Sequence, residues 1–214
     1  MATLGALITA VSKRLLDTSN TIVSTADIAD SINAAIRYYK YYRFWFNEGE
    51  ATLTLSEATG DITLPTNFLI DLPNNEAFTI VYNDVRYPLV KLDSANFNLE
   101  NSEQEGMPYC YTFRSNSYEC YYVPDQDYTA ECRFLKEYDD FETDGDDNNS
   151  SNDFTTYAER LIMYNALSRL HGELRQDEKM ENYYSARAED ELKNLQRRTQ
   201  MQVASGSLTV ESII

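Results

Sequence analysis

The stretch INAAIRYYKYYRFWFNEGE, residues 32–50, decides how the first part of the chain is interpreted. Seven of the nine residues from Tyr38 to Phe46 are aromatic, and only Lys40 and Arg43 interrupt them. We expect the helix that precedes the stretch to begin near Ala26, with Ser24 or Thr25 as its cap, and to continue to about Asn47 and Gly49. On such a helix the aromatic side chains would cover an arc of about 220° around the helix axis. A surface helix buries an apolar stripe little more than 100° wide.

The helical wheel divides these aromatic residues between two faces. Tyr39, Tyr42 and Phe46 continue the apolar stripe that Ile28 and Ile32 begin, so this face is predicted to be core. The second face consists of Tyr38, Tyr41, Phe44 and Trp45. It would pack against another domain of the chain or form a contact between subunits, and the sequence leaves both interpretations open.

The charge and the cysteine content of the chain exclude some classes of function. The 214-residue chain carries 35 Asp and Glu against 18 Lys and Arg, a net charge of −17. Because nucleic-acid binding needs a basic surface, sequence-specific DNA binding is not expected. Three cysteines in a chain without a recognisable signal peptide suggest reduced thiols in the cytosol. No apolar run is long enough to predict a membrane span.

The order of sequence patterns predicts an α+β protein. Apolar residues at helical spacing predict a helix over about 3–16, and a second helical stretch follows at 154–200, with a capping box at Thr156 and Glu159 and a bend or break at Gly172. Alternating segments and a turn at Asn83-Asp84 predict an all-β module, sandwich-like or barrel-like, over 50–138. We expect a helical domain from 1–49 and 154–200, the β module inserted into it, an acidic loop at 139–153 and an extended C-terminal tail at 201–214.

The sequence offers no positive sign of catalysis, a metal or a cofactor. His171 is the single histidine, and the three cysteines lack the paired spacing of a zinc site. The acidic loop fits the first positions of a calcium loop from Asp140, but its last position is Ser151 in place of glutamate, so a solvated loop is expected instead. A glycosidase needs a pair of catalytic carboxylates. This chain has so many carboxylates that some pair will always exist, so such a pair is no evidence for a glycosidase.

Four segments carry a resemblance to a known family. They are DIADSINAAIRYYKYYRFWF (27–46), ITLPTNFLIDL (62–72), VRYPLVKLD (85–93) and TTYAERLIMYNALSRLHGEL (155–174). Their type and order resemble the head-to-tail adaptor proteins of tailed bacteriophages, above all those of short-tailed phages. The acidic loop is longer than this pattern requires.

The resemblance implies a structural virion protein, made in the host cytoplasm, that forms a dodecameric ring under the portal and continues the DNA channel. Its implied partners are the portal, a tail protein of the nozzle or hub type, neighbouring copies of itself, and double-stranded DNA as non-specific cargo. The interface with a neighbouring copy, or with another domain of the chain, would be formed by Tyr38, Tyr41, Phe44 and Trp45. A portal-binding tail would use Val203, Leu208, Val210, Ile213 and Ile214.

Two alternatives belong to other classes. One is a monomeric β-sandwich module that binds glycans or a host surface, and the other is a glycosidase without a sequence signature. Both differ from an adaptor in that they require no assembly into a ring.

Overall fold

The computed structural model describes residues 2–17, 22–73, 75–97, 104–142 and 149–204. Its helices are α1 (Leu4–Leu15), α2 (Thr25–Tyr39), α3 (Ser94–Phe97), α4 (Asp153–Tyr157), α5 (Glu159–Glu173) and α6 (Glu178–Ala204). Its strands are β1 (Glu48–Leu55), β2 (Asp61–Ile62), β3 (Phe68–Asp71), β4 (Phe78–Tyr82), β5 (Val85–Pro88), β6 (Val90–Lys91), β7 (Cys110–Arg114), β8 (Ser117–Tyr121) and β9 (Tyr128–Lys136). Helices and sheets are both present, as the α+β prediction requires.

These elements divide into two compact units. A helical unit comprises the residues up to Asn47 and from Tyr138 onward, and a β unit comprises Glu48–Glu137. Each unit has its own cluster of buried apolar side chains. The core of the helical unit is built mainly from the apolar stripes of α1, α2, α5 and α6.

The first two helices begin where the sequence predicts. The Thr3 hydroxyl accepts a hydrogen bond from the backbone N–H of Ala6 at the start of α1. Ser24 caps α2: its hydroxyl accepts from the N–H of Asp27, and the Asp27 carboxylate accepts from the N–H of Ser24. This reciprocal capping box satisfies two backbone donors that a helix start leaves unpaired.

The predicted end of α2 is wrong. The helix stops at Tyr39, about eight residues before the expected boundary, and the aromatic stretch continues as turns. The Asn47 side chain holds this conformation, because its oxygen accepts from the N–H of Phe44 at 2.8 Å and its amide donates to the carbonyl of Tyr42 at 2.8 Å. The two-face wheel therefore does not apply beyond Tyr39.

The late helical region also differs from its prediction. The capping box is formed by Asn152 and Thr155, each side chain accepting from the other residue's N–H, so the Thr156–Glu159 box is wrong. Gly172 lies inside α5, and the break follows it at residues 174–177. A Cβ at Gly172 would lie 2.7 Å from the Glu181 carboxylate carbon. Because glycine has no Cβ, the Glu181 side chain can approach the helix backbone at this position. Helix α6 ends at Ala204, beyond the predicted end near residue 200.

The described residues of the β unit form two sheets. The larger has the order β1-β9-β4-β5, with β3 also paired to β9, and the smaller has the order β2-β8-β7-β6. Both contribute side chains to one apolar cluster. The Asn83-Asp84 turn between β4 and β5 is confirmed, and its two positive φ angles, 51° and 60°, suit the tight turn of a two-residue hairpin.

Candidate subunit-contact surface

The structure separates the four aromatic residues that were predicted to share a face. Phe44 is fully buried, Trp45 is half-buried, and Tyr38 and Tyr41 are 57% and 59% exposed. The reason is the early end of α2, because the chain beyond Tyr39 turns and presents successive side chains in different directions.

Phe44 belongs to the core of the helical unit. Its ring stacks on Phe46 with centroids 5.2 Å apart and meets Phe154 edge to face at 6.2 Å. Tyr42 extends the stack from the other side of Phe44, at 6.4 Å. A residue held in this way cannot also present its ring to a partner, so the prediction of an interface role for Phe44 needs correction.

Trp45 packs under side chains of its own unit. Its ring meets Tyr157 at 6.1 Å, and the Arg198 guanidinium of α6 lies 4.6 Å from the ring centroid. A cation over an indole face is attracted by the ring quadrupole. Trp45 therefore joins the turn after α2 to the far end of α6.

Tyr38 and Tyr41 remain as the exposed part of the aromatic stretch. The Tyr38 hydroxyl lies 3.3 Å from that of Tyr42, and this hydrogen bond raises the pKa of Tyr42. The Lys40 ammonium lies 5.6 Å from the centroid of the Tyr41 ring. Exposed tyrosines beside a cation are typical of protein interfaces, where a ring and a hydroxyl can both make contacts.

A groove of about 520 Å³ lies beside Tyr38, between the end of α2 and helices α5 and α6. On its floor the Asn165 amide donates to the Tyr39 hydroxyl at 3.2 Å, and burial raises the pKa of that hydroxyl. Arg169, Glu189 and Lys193 supply charges to its wall. The groove thus combines neutral hydroxyls, apolar surface and charges of both signs, which suits contact with another protein surface.

The β unit holds a buried polar cluster that the sequence did not reveal. The Asp71 carboxylate accepts hydrogen bonds from the hydroxyls of Tyr111 and Tyr118, at 2.8 and 2.9 Å, and from the Lys91 ammonium at 2.7 and 2.9 Å. Burial, followed by the Asp71 charge, raises the pKa of both tyrosines well above the ordinary value. These residues lie 20 to 47 positions from Asp71, so no local spacing could have predicted the cluster.

The outer face of the larger sheet carries a second charged group. Arg133 contacts Glu48 at 3.2 Å and Glu50 at 3.1 Å, and Arg86 contacts Glu131 at 2.6 Å. A shallow groove of about 450 Å³ lies over this face. Ion pairs as exposed as Arg86–Glu131 contribute little to stability, so they mainly set the surface charge of the β unit.

The residues considered for catalysis are part of the packing. Cys110, Cys120 and Cys132 are buried and form no disulfide within the described residues, and burial raises the pKa of the Cys120 and Cys132 thiols to about 12. The His171 ring stacks on Tyr184 at 5.5 Å, and burial and the nearby Arg175 lower its pKa. Within the described ranges, no group of three or more His, Cys, Asp or Glu side chains could hold a metal ion.

Several predicted residues fall at or beyond the ends of the described segments. Val203 lies in the last turn of α6, whereas Leu208, Val210, Ile213 and Ile214 lie outside the described residues. Asp144 and Gly145, which would be positions 5 and 6 of a calcium loop that begins at Asp140, also lie outside the described residues. None of the described helices combines the length and hydropathy that crossing a membrane requires.

Comparison with known proteins assigns the chain to a family. A search of curated proteins finds no significant match. The family of SU10 adaptor proteins matches residues 2–211, which is nearly the whole chain. This family comprises structural proteins of the bacteriophage head-tail junction and is not a known enzyme class. The chain therefore belongs to the SU10 adaptor protein family and is a bacteriophage virion protein, a connector between head and tail.

Proposed function

We propose that copies of this protein form a dodecameric ring beneath the portal, join the capsid to the tail and continue the DNA channel. The observation that carries the proposal is the family match over residues 2–211, since an adaptor must contact both the portal and a tail protein. In this proposal residues 50–138 form a domain inserted into a helical domain, 1–49 with 154–200. No function is assigned to the acidic loop at 139–153.

The charge of the chain supports a channel through which DNA passes. A ring of subunits that each carry a net charge of −17 surrounds the duplex with negative potential. Phosphates are repelled from such a wall, so the duplex is not held as it slides. Double-stranded DNA is therefore non-specific cargo in this proposal, and the portal, the tail protein of nozzle or hub type and neighbouring copies are the specific partners.

Ring closure needs two different contact surfaces on each copy, because a head-to-tail ring is built from heterologous contacts. Tyr38 and Tyr41, with the groove that Tyr38 lines, are our candidate for one of the two surfaces. Trp45 supports this surface from below through its contact with Arg198. The monomeric glycan-binding alternative provides no use for such a pair of surfaces.

We assign portal attachment to the C-terminal residues. Leu208 and Val210 alternate with polar residues, which suits a strand that adds to a sheet edge on the portal, and Ile213 and Ile214 follow. Val203 belongs to the helix that would precede this strand.

Truncation after Ala204 is expected to abolish attachment to the portal while leaving α6 complete. The measurement is a pull-down of the full chain and the truncated chain by the portal protein of the same phage. Leu208→Ser with Val210→Ser should act like the truncation, and Thr209→Ser with Glu211→Gln should not. Unchanged capture of the truncated chain would contradict the portal assignment.

A further inference from the structure

Two segments of this acidic chain carry positive charge alone. Residues 31–47 contain three cations and no carboxylate, and so do residues 192–204. They meet in the helical unit, where Arg198 covers Trp45 and where Lys193 and Tyr38 line the same groove. Together the two segments form what we call the basic aromatic surface, with the cations Arg37, Lys40, Arg43, Lys193, Arg197 and Arg198.

Two of these cations lie close to carboxylates of the same unit. Arg37 lies 3.4 Å from Asp140, and Lys193 lies 3.8 Å from Glu189. Both pairs are at least half exposed, so solvent screens them and little free energy is lost when a cation exchanges its partner. The exposed rings of Tyr38 and Tyr41 add apolar area between the cations.

The β unit carries the opposite charge, because its acidic residues outnumber its basic ones. Residues 48–137 contain 16 Asp and Glu against 5 Lys and Arg, which makes this the more acidic of the two units in proportion to its length. Its carboxylates include Glu50, whose side chain is 75% exposed, and the exposed loop residues Glu57 and Asp127. Each copy therefore has one basic surface and one acidic unit, the pairing that a head-to-tail contact uses.

From this asymmetry we infer that the basic aromatic surface of one copy receives the acidic β unit of a second copy. The inference rests on the proposed function, since it names the partner of the surface that would close the ring. At an ionic strength of about 0.15 M the Debye length is about 8 Å. Repulsion between the net charges of two copies is then largely screened, whereas charges in direct contact still attract.

Zero-length cross-linking between copies tests this inference. An equal mixture of ordinary and nitrogen-15-labelled full-length chain is assembled on the portal protein and treated with a carbodiimide, which joins amines to carboxylates. Mass spectrometry then identifies links that contain both isotopes. Lys40 and Lys193 are the reporters, and we expect their mixed-isotope links to lead to carboxylates within 48–137. The yield should fall when the ionic strength is raised to about 1 M, where the Debye length is about 3 Å.

A charge-reversal variant that keeps both reporters sharpens the test. Arg197→Glu, at a cation of the basic aromatic surface, is combined with Arg169→Glu, in the wall of the groove beside it, and the double variant is expected to lower the yield of these links about tenfold. Lys13→Glu with Lys179→Glu changes the net charge equally at exposed positions outside the groove, and its yield should match that of the natural chain. Circular dichroism of each variant shows that it is folded.

Three results would overturn the inference. The first is a link yield from Arg169→Glu with Arg197→Glu that equals the yield from the natural chain. The second is a yield from the control variant that falls as far as that of Arg169→Glu with Arg197→Glu. The third is mixed-isotope links that avoid residues 48–137. A short DNA duplex that binds the natural chain and not this variant, in the absence of such links, would assign the surface to a polyanion instead. If these links are absent and rings still form on the portal, this contact is wrong and the adaptor proposal stands.

Discussion

Phe44→Ala is expected to lower the free energy of unfolding by about 4 kcal/mol, because it removes a fully buried ring from the core of the helical unit. The ring lies between Tyr42 and Phe46 in a stack and meets Phe154 edge to face. The cavity left behind cannot close easily, since the Asn47 side chain fixes the backbone on both sides of Phe44. Urea denaturation followed by circular dichroism measures the loss.

Tyr41→Ala is the matched control for this substitution. Tyr41 lies three residues away in the same stretch, but its side chain is 59% exposed. Its removal should change the free energy of unfolding by less than about 0.5 kcal/mol. Similar losses for the two variants would show that the aromatic stretch is not divided between core and surface as the structure indicates.

Asp71→Asn is expected to cost about 3 kcal/mol of stability, because two buried tyrosine hydroxyls lose a carboxylate acceptor. The substitution keeps the size of the side chain but removes its charge and replaces one acceptor with an amide donor. The two buried tyrosine hydroxyls and the Lys91 ammonium would then share a single acceptor oxygen. Unpaired buried donors are expensive because they have given up their hydrogen bonds to water.

Glu131→Gln provides the comparison for Asp71→Asn in the same unit. Glu131 also contacts a cation, Arg86, at 2.6 Å, but the two side chains are 40% and 69% exposed. We expect a loss below about 1 kcal/mol, measured by the same denaturation experiment. A loss for Asp71→Asn as small as this would mean that the buried cluster does not hold the β unit together.

The sequence predicted those parts of the fold in which local patterns decide the structure. Apolar spacing in α1 and the capping residues Ser24 and Asp27 are local, and both helix starts lie where they were expected. The Asn83-Asp84 turn is local in the same sense, because two residues with positive φ connect adjacent strands.

The end of α2 was predicted wrongly because the helical period was applied to residues beyond Tyr39, where the helix ends. Tyr42, Phe44 and Phe46 recur at every second residue, which is a period of an extended chain, and in the structure their rings form one stack. Together with the turn-forming Asn47, this spacing is the signal that could have corrected the prediction. It would have moved Phe44 from the candidate interface to the core.

The Asp71 cluster and the basic aromatic surface share a different reason for being missed. Each brings together residues that are far apart in the chain, such as Asp71 with Tyr118 and Trp45 with Arg198. Only the folded backbone places them side by side. The net charge of −17 also concealed the basic surface, because a sum over the chain does not show how charge is distributed.

Electron microscopy of the full-length chain co-expressed with the portal protein of its phage tests whether the chain forms a ring on the portal. We expect a closed dodecameric ring on the portal, and we expect Tyr38→Ala with Tyr41→Ala to yield a folded chain that fails to join such a ring. Portal particles that carry no ring, or a normal ring built from the double variant, would contradict this proposal.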